Sequence, residues 1–550
     1  MSASEQGSSA LLRLPAEVLV AVTSQLPNSA IKKIRLACRA LRDRAALRLD
    51  RVFLSANPRN VEVLRAVADH ETFRHHVVEI IWDDALLVSD IPGPSDRLQP
   101  WGAPFPTSCP GWYHRACEEN ASNLRRLTRS DHPDFAKVRQ VVDAQLPPDV
   151  SWECYQSLLH QQDEVLASGT DVEAFRYGLE RFPALKRVTI TPAAHGMLFV
   201  PLYETPMIRA FPEGFNYPIP RGWPTPERGD LPYYVRDWND KSKWRGFSVI
   251  VRELANARED HHVTELVLDV HYLNTGLNCH VFDSSNEEYD NLVKIFQRPG
   301  FSRIDLALLA EGQQYQGWSS FRNGHLKSAL GQATDLRRFS LQNQIVQDQF
   351  YEENDENFVP LKTLLPVEKW HKLRHFGLLN FLVKQDDLLA LLASLPTSVR
   401  SVELGFFRFL DRKSFKDLLD GMRKTLDWGS RPVNERPVVT ILCVEYATKL
   451  PWRYMWAQDA VNDFLYRGAV NPFGTDGDRP DQNRGAVIRD PFLPALDRLH
   501  EYRSPTAAVA GRPPHHNSLK KLHRTDKLLE CQSSPSMQSC FLLVCSTNRV

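Results

Sequence analysis

No stretch of this 550-residue chain approaches the ~18–20 consecutive apolar residues that a membrane-spanning helix needs. The opening MSASEQGSSA lacks the basic start and apolar centre of a secretory signal. Neither sign of charge is in surplus, with 67 Lys+Arg against 67 Asp+Glu. A bulk field drawing the chain to nucleic acid or an anionic membrane is therefore missing. Nine cysteines, odd in number and scattered, suit a reducing compartment better than a disulfide framework. These absences predict an intracellular protein, of cytoplasm or nucleus, with neither nucleic acid nor membrane as partner.

Catalytic signatures are missing too. No nucleophile elbow, phosphate-cradling loop or dinucleotide-binding glycine turn follows a strand-like segment. His70-Glu71 with His75 resembles a zinc-protease helix only superficially, because an i+5 spacing turns the second imidazole about 140° away. Cys109, His114 and Cys117 supply three of the four ligands that a closed zinc site needs, with His132 and Cys154 the nearest others. Two buried thiols and a surface histidine are the simpler reading. The expectation is a protein that is not an enzyme, with no cofactor and no metal; an active site inside the insertions described below is the remote rival.

What is present begins between Leu11 and Leu49. Leu14-Pro15 opens a helix, since proline suits a first turn whose N–H is unpaired anyway. Val18, Leu19, Val22 and Leu26 follow at helical spacing. Pro27-Asn28-Ser29 interrupts, with Asn28 or Ser29 able to cap a second helix that places Ile31, Ile34, Leu36, Cys38 and Leu41 among five cations. So small a unit buries little surface, and apolar residues left exposed on it imply a partner. LPAEVL, a break, then IRLACRAL resembles an F-box over about 40 residues. The resemblance implies that Leu14, Pro15, Val18, Leu19, Leu36, Cys38 and Leu41 bind a Skp-type adaptor and, through it, a cullin. A helical hairpin capping the body is the alternative.

Behind this module a helix-then-strand unit recurs. Its strands read Val77-x-x-Ile80-x-Trp82, Leu185-x-x-Val188-x-Ile190, Val263-x-x-Leu266-x-Leu268, Phe301-x-x-Ile304-x-Leu306, Leu336-x-x-Phe339-x-Leu341, Leu373-x-x-Phe376-x-Leu378, Val399-x-x-Val402-x-Leu404 and Val438-x-x-Ile441-x-Cys443. Asn57-Pro58, Thr170-x-x-Glu173 and Ser284-x-x-Glu287 are candidate helix starts. One helix and one strand cannot bury both faces alone, so neighbours must stack in parallel. The pattern resembles a degenerate leucine-rich repeat, which implies an irregular α/β solenoid behind the F-box-like module; an irregular α/β domain is the alternative. The domains expected are 11–50 for the module, 51–450 for the body, 451–503 for an extension and 504–550 for a disordered tail. Insertions at 83–135 and 191–245 are rich in proline and in aromatics such as Trp101, Trp112, Tyr217, Trp223 and Tyr233, and are expected to pack across one edge and shape a binding surface.

Alternation along the strands should turn Glu79, Arg187, Thr189, Glu265, Asp269, Arg303, Asp305, Arg338, Ser340, His375 and Glu403 outward. Such mixed charge suits a protein-binding face, or simple solvation. The resemblances together imply a substrate-recruiting subunit of a cullin-type (SCF) ubiquitin ligase that holds an unknown protein client. A repeat scaffold with no ligase role is the alternative.

Overall fold

A computed structural model describes residues 14–489, apart from 27, 46, 48, 90–108, 128–139, 225–237, 239–240, 258–260, 345–354, 445–452, 476 and 482–484. The expected tail, and Trp101, His132 and Tyr233, lie outside the described residues.

Three short helices come first: α1 (Ala16–Ser24), α2 (Asn28–Ala37) and α3 (Arg39–Arg44). The sequence suggested two. Cys38 ends α2 in a fully extended conformation (φ −163°, ψ 163°), so the second helix is broken where continuity was expected. Strand β1 (Arg51–Leu54) and α4 (Pro58–Asp69) follow. Asn57 caps α4 by accepting from Arg59 N–H at 3.0 Å, with Pro58 in the first turn.

The remaining elements run β2 (Glu79–Asp83), α5 (Gly111–Leu127), α6 (Pro148–Ser168), α7 (Thr170–Arg181), β3 (Arg187–Thr191), α8 (Arg245–Asn256), β4 (Glu265–Leu268), β5 (Leu277–Asn278), α9 (Glu287–Phe296) and β6 (Arg303–Leu309). Then come α10 (Ser319–Arg322), α11 (His325–Leu330), β7 (Arg338–Gln344), α12 (Leu361–Leu364), β8 (His375–Leu379), β9 (Leu382–Val383), α13 (Gln385–Ala393), β10 (Ser401–Gly405), β11 (Arg408–Phe409) and α14 (Phe415–Thr425). Strands β12 (Val438–Val444) and β13 (Tyr454–Ala457), helix α15 (Asp459–Arg467) and β14 (Val487–Arg489) close the described chain.

The fold is mixed α/β, built on a 12-stranded sheet whose strands join almost entirely in chain order, β1-β2-β3-β4-β6-β7-β8-β10-β12-β13-β14. Every pairing from β1 to β12 is parallel; β13 and β14 turn antiparallel. Parallel neighbours need a crossover between them. The intervening helices supply it on one face: Leu64, Phe175, Phe247, Leu292, Leu388 and Leu418 join one continuous core with the strand residues Ile80, Val188, Leu266, Ile304, Phe339, Phe376 and Val402. Those strand residues pair in register, as their spacing implied.

The last register departs from the sequence reading. Val402 stands opposite Val439 and Leu404 opposite Ile441, so the step is 37 residues (402 to 439) and not the one to Ile441. Val438 and Ile441 both being β-branched, the apolar run around them did not discriminate between two frames. Two helix starts also differ. Gly169, in the left-handed region (φ 68°), precedes Thr170 and separates α6 from α7. Asn286, not Ser284, caps α9 by accepting from Tyr289 N–H at 3.0 Å. The segment 451–503, set apart by the sequence, places β13 and β14 in the same sheet and Met455, Val461 and Phe464 in the same core.

Candidate protein-binding surfaces

Within the N-terminal helices Leu19 and Ile31 are fully buried, and Leu41 and Ala45 are buried with them. Arg35 fastens α2 to the end of α3, its guanidinium donating to the carbonyls of Arg42 and Ala45, each at 2.7 Å. The main contacts of α1 and α2 are both with α3. Of the seven residues singled out in the sequence, Leu19 and Leu41 therefore face inward. Leu14 and Cys38 are half-buried and Pro15 is exposed. Val18 is 43% and Leu36 86% exposed, and Val20 and Val22 join them on the surface. Lys32, Lys33, Arg39 and Arg42 of the same helices are exposed as well. The Arg35 clamp has no signal in the sequence, where it is one cation among several.

The second surface is the sheet face away from the helices. Its outward side chains lie in rows across neighbouring strands. In the first row Arg51, Glu79, Arg187, Glu265 and Arg303 alternate in sign. Glu79 lies 3.8 Å from Arg51 and 3.9 Å from Arg187; Arg187 reaches Glu265 at 2.6 Å, and Arg303 stands 3.8 Å from Glu265. Asp305, one position further along β6, joins Arg303 and also Arg338 at 3.4 Å. Opposite charges on adjacent strands are favourable neighbours, and this network explains why so many charges tolerate a half-buried face. The row continues through Arg338 and His375 to Ser401, whose Oγ lies 3.1 Å from His375 Nδ1. Burial and the nearby Arg338 push the His375 pKa down to about 4, so it is neutral near pH 7. Glu403, in the next row, is raised by burial.

The two insertions meet this sheet at the end of β2. Trp112, Tyr113, Tyr155, Phe215 and Tyr217 build a second apolar cluster with Cys109, Cys117 and Cys154 packed within or against it. Cys117 Sγ donates to the Asn216 carbonyl at 3.5 Å. Among the described residues no three His, Cys, Asp or Glu side chains come together as metal ligands. His70 lies just beyond α4, its Nδ1 accepting from Thr72 N–H. Asp84 receives three N–H groups: Gly246 backbone at 2.8 Å, and the Trp223 and Trp82 indoles at 2.8 and 3.3 Å. It thus caps α8, whose N-terminal end favours negative charge. Burial nonetheless raises Asp84 to about 6.

Its neighbour Asp83 faces the other way. Asp83 Oδ2 lies 3.5 Å from His195 Nε2 and accepts no hydrogen bond, while His195 Nδ1 stands 2.8 Å from the Tyr217 hydroxyl. The distance alone would allow an ion pair. Complete burial argues for a neutral pair, lifting Asp83 to about 8 and lowering His195 to about 3, where Arg221 adds repulsion. This contact joins residues far apart in the chain, and nothing local in the sequence announces it. No family model matches the chain, and no curated protein matches its sequence.

Proposed function

We propose that this chain is a non-catalytic, substrate-recruiting subunit of a cullin-type (SCF) ubiquitin ligase. Its N-terminal helices are F-box-like and dock on a Skp-type adaptor; its body is a degenerate leucine-rich-repeat-like solenoid that holds a protein client. The observation that carries this reading is Leu36, 86% exposed, with Val18 and Val22 also exposed, on helices that bury Leu19 and Ile31. Apolar side chains left exposed on a small helical unit are suited to a foreign groove. Burying a leucine there contributes roughly 1.5–3 kcal/mol. Catalysis then belongs to partner enzymes, and this chain supplies effective concentration and orientation.

Leu36→Asp with Val18→Asp tests the reading, since both positions are exposed and the buried Leu19 and Ile31 are untouched. Co-purification of the Skp-type adaptor and cullin with the wild-type chain, reduced at least about tenfold in the variant, is the expected result. Equal recovery with both proteins refutes it. The burial of Leu19 and Leu41 favours a second reading, a hairpin that caps a repeat scaffold without any ligase role.

A further inference from the structure

Aromatic side chains run across the open sheet face near the carboxyl ends of the strands. Phe53 of β1 lies 5.9 Å from Tyr203, and Tyr203 lies 5.6 Å from His271. The adjacent Tyr272 is 4.9 Å from Tyr454 of β13 and 5.8 Å from Phe406. The turn after β4 thus touches Tyr203 of the second insertion on one side and Tyr454 of β13 on the other. His271, Tyr272 and Phe406 adopt left-handed backbone conformations (φ 49°, 60° and 55°), which disfavour side chains of this size and mark places where the surroundings impose the geometry. Beneath Phe406 and the half-buried Trp456 lie Leu379 and Leu442, in a cluster separate from the helix-side core.

The charges around this cluster are not balanced as they are elsewhere on the face. Arg489 stacks its guanidinium 3.9 Å above Trp456, and its Nε, buried, makes no hydrogen bond. Arg338 keeps 39% of its side chain exposed. Asp305 is shared between Arg303 and Arg338, and the Glu403 carboxyl, raised by burial, is held down in part by Arg338 and Arg489. Aromatic platforms flanked by arginine are the composition of energetically dominant interface patches.

We propose that the Phe406–Trp456 cluster with Arg489 is the client-recognition site, and that it takes an extended segment carrying one large apolar side chain next to a carboxylate. The site rests on the client-recruiting reading above. The apolar anchor packs on Phe406 and Trp456, and the carboxylate engages Arg489 as a charge-assisted hydrogen-bond acceptor.

The test immobilises the full chain and selects from a random heptapeptide library displayed on phage. Enrichment of peptides that pair Asp or Glu with Phe, Tyr, Trp or Leu is expected. A synthetic consensus peptide, followed by fluorescence anisotropy, should bind the Phe406→Ala protein about tenfold more weakly. Arg489→Glu, on a strand at the sheet edge, should lose the acidic preference and select basic residues instead. Thermal melts establish that both variants are folded. The idea falls if no sequence is enriched, or if the enriched peptides bind both variants as they bind the wild type. It also falls if residues 490–550 supplied as a separate fragment displace the peptide, which would make the chain itself the occupant. Adaptor co-purification with the same two variants separates the readings: retained adaptor with lost peptide binding isolates the client site, and lost adaptor binding in the unmodified chain strikes the ligase reading alone.

Discussion

At the scale of single residues, the Asp83–His195 pair makes a prediction whose sign follows from its proton count. In the folded chain one proton sits on Asp83, raised to about 8, and none on His195, lowered to about 3. Unfolded, the same side chains return to about 3.8 and 6.5. Between about 4 and 6.5 both states hold one proton, on the carboxyl when folded and on the imidazole when unfolded, so the pair contributes no slope there. From 6.5 to 8 only the folded state keeps its proton, and stability falls as pH rises, by roughly 1 kcal/mol per pH unit at most. Asp84, raised to about 6, adds a loss of the same sign between 3.8 and 6. Asp83→Asn keeps a donor toward His195 Nε2 but has no proton to lose. Urea unfolding at pH 6.5 and 8 should show the decline in the wild type and a much flatter profile in the variant. Equal slopes would mean that Asp83 is already ionised at neutral pH.

At the scale of elements, the second insertion is packed, in keeping with its aromatic residues. His195, Thr205, Tyr217 and Trp223 are buried. Met207 N–H donates to Asn60 Oδ1 at 2.9 Å, and Leu146 N–H to the Gly214 carbonyl at 3.0 Å. Limited proteolysis should therefore leave 195–224 intact until the protein unfolds. Gly222 is a point of close approach, with φ +68° and a would-be Cβ only 2.4 Å from the Asp84 carbonyl oxygen. Gly222→Val combines a disfavoured backbone with a clash against main chain, and should bring early cleavage within 195–224. Resistance equal to wild type would show that the contact with β2 does not hold the segment.

The strands were the legible part of these elements. A buried residue at positions two and four of each parallel strand leaves a fixed apolar spacing, and Ile80, Val188, Leu266, Ile304, Phe339, Phe376 and Val402 pair as that spacing implied. The β12 register was not legible, because Val438 and Val439 are identical and either could face the core. Nor was β1 read, although Leu49-x-x-Val52-x-Leu54 repeats the spacing of the others, because its first apolar residue falls inside the segment assigned to the N-terminal module. The helix α5 inside the first insertion was hidden by flanking proline-rich chain, and the exact capping residues at Gly169 and Asn286 by stronger-looking neighbours. Of the side chains expected to face outward, most are half-buried, and Glu79 and Thr189 are buried, Thr189 donating to Glu79. The pairing of Arg187 with Glu265 follows from that same register, since each directly precedes the paired Val188 and Leu266.

At the scale of the molecule, one core runs from Val52 to Ala486, whereas Leu19, Ile31 and Leu41 do not belong to it. That separation gives the docking and capping readings different expectations for a shortened chain. A terminal cap exists to cover the exposed end of a stacked core, and its loss leaves that end open to association. A docking module contributes contacts chiefly to itself, as α1, α2 and α3 do. Beginning the chain at Asp50 should therefore yield a monodisperse protein in size-exclusion chromatography. Its urea midpoint should lie close to that of the full chain, with adaptor binding abolished. Aggregation of the shortened chain, or a midpoint lowered by several tenths molar or more, would instead assign these helices to the body as its cap. Soluble protein with adaptor binding intact would exclude both roles at once, because neither the end of the sheet nor the partner would then need Leu36.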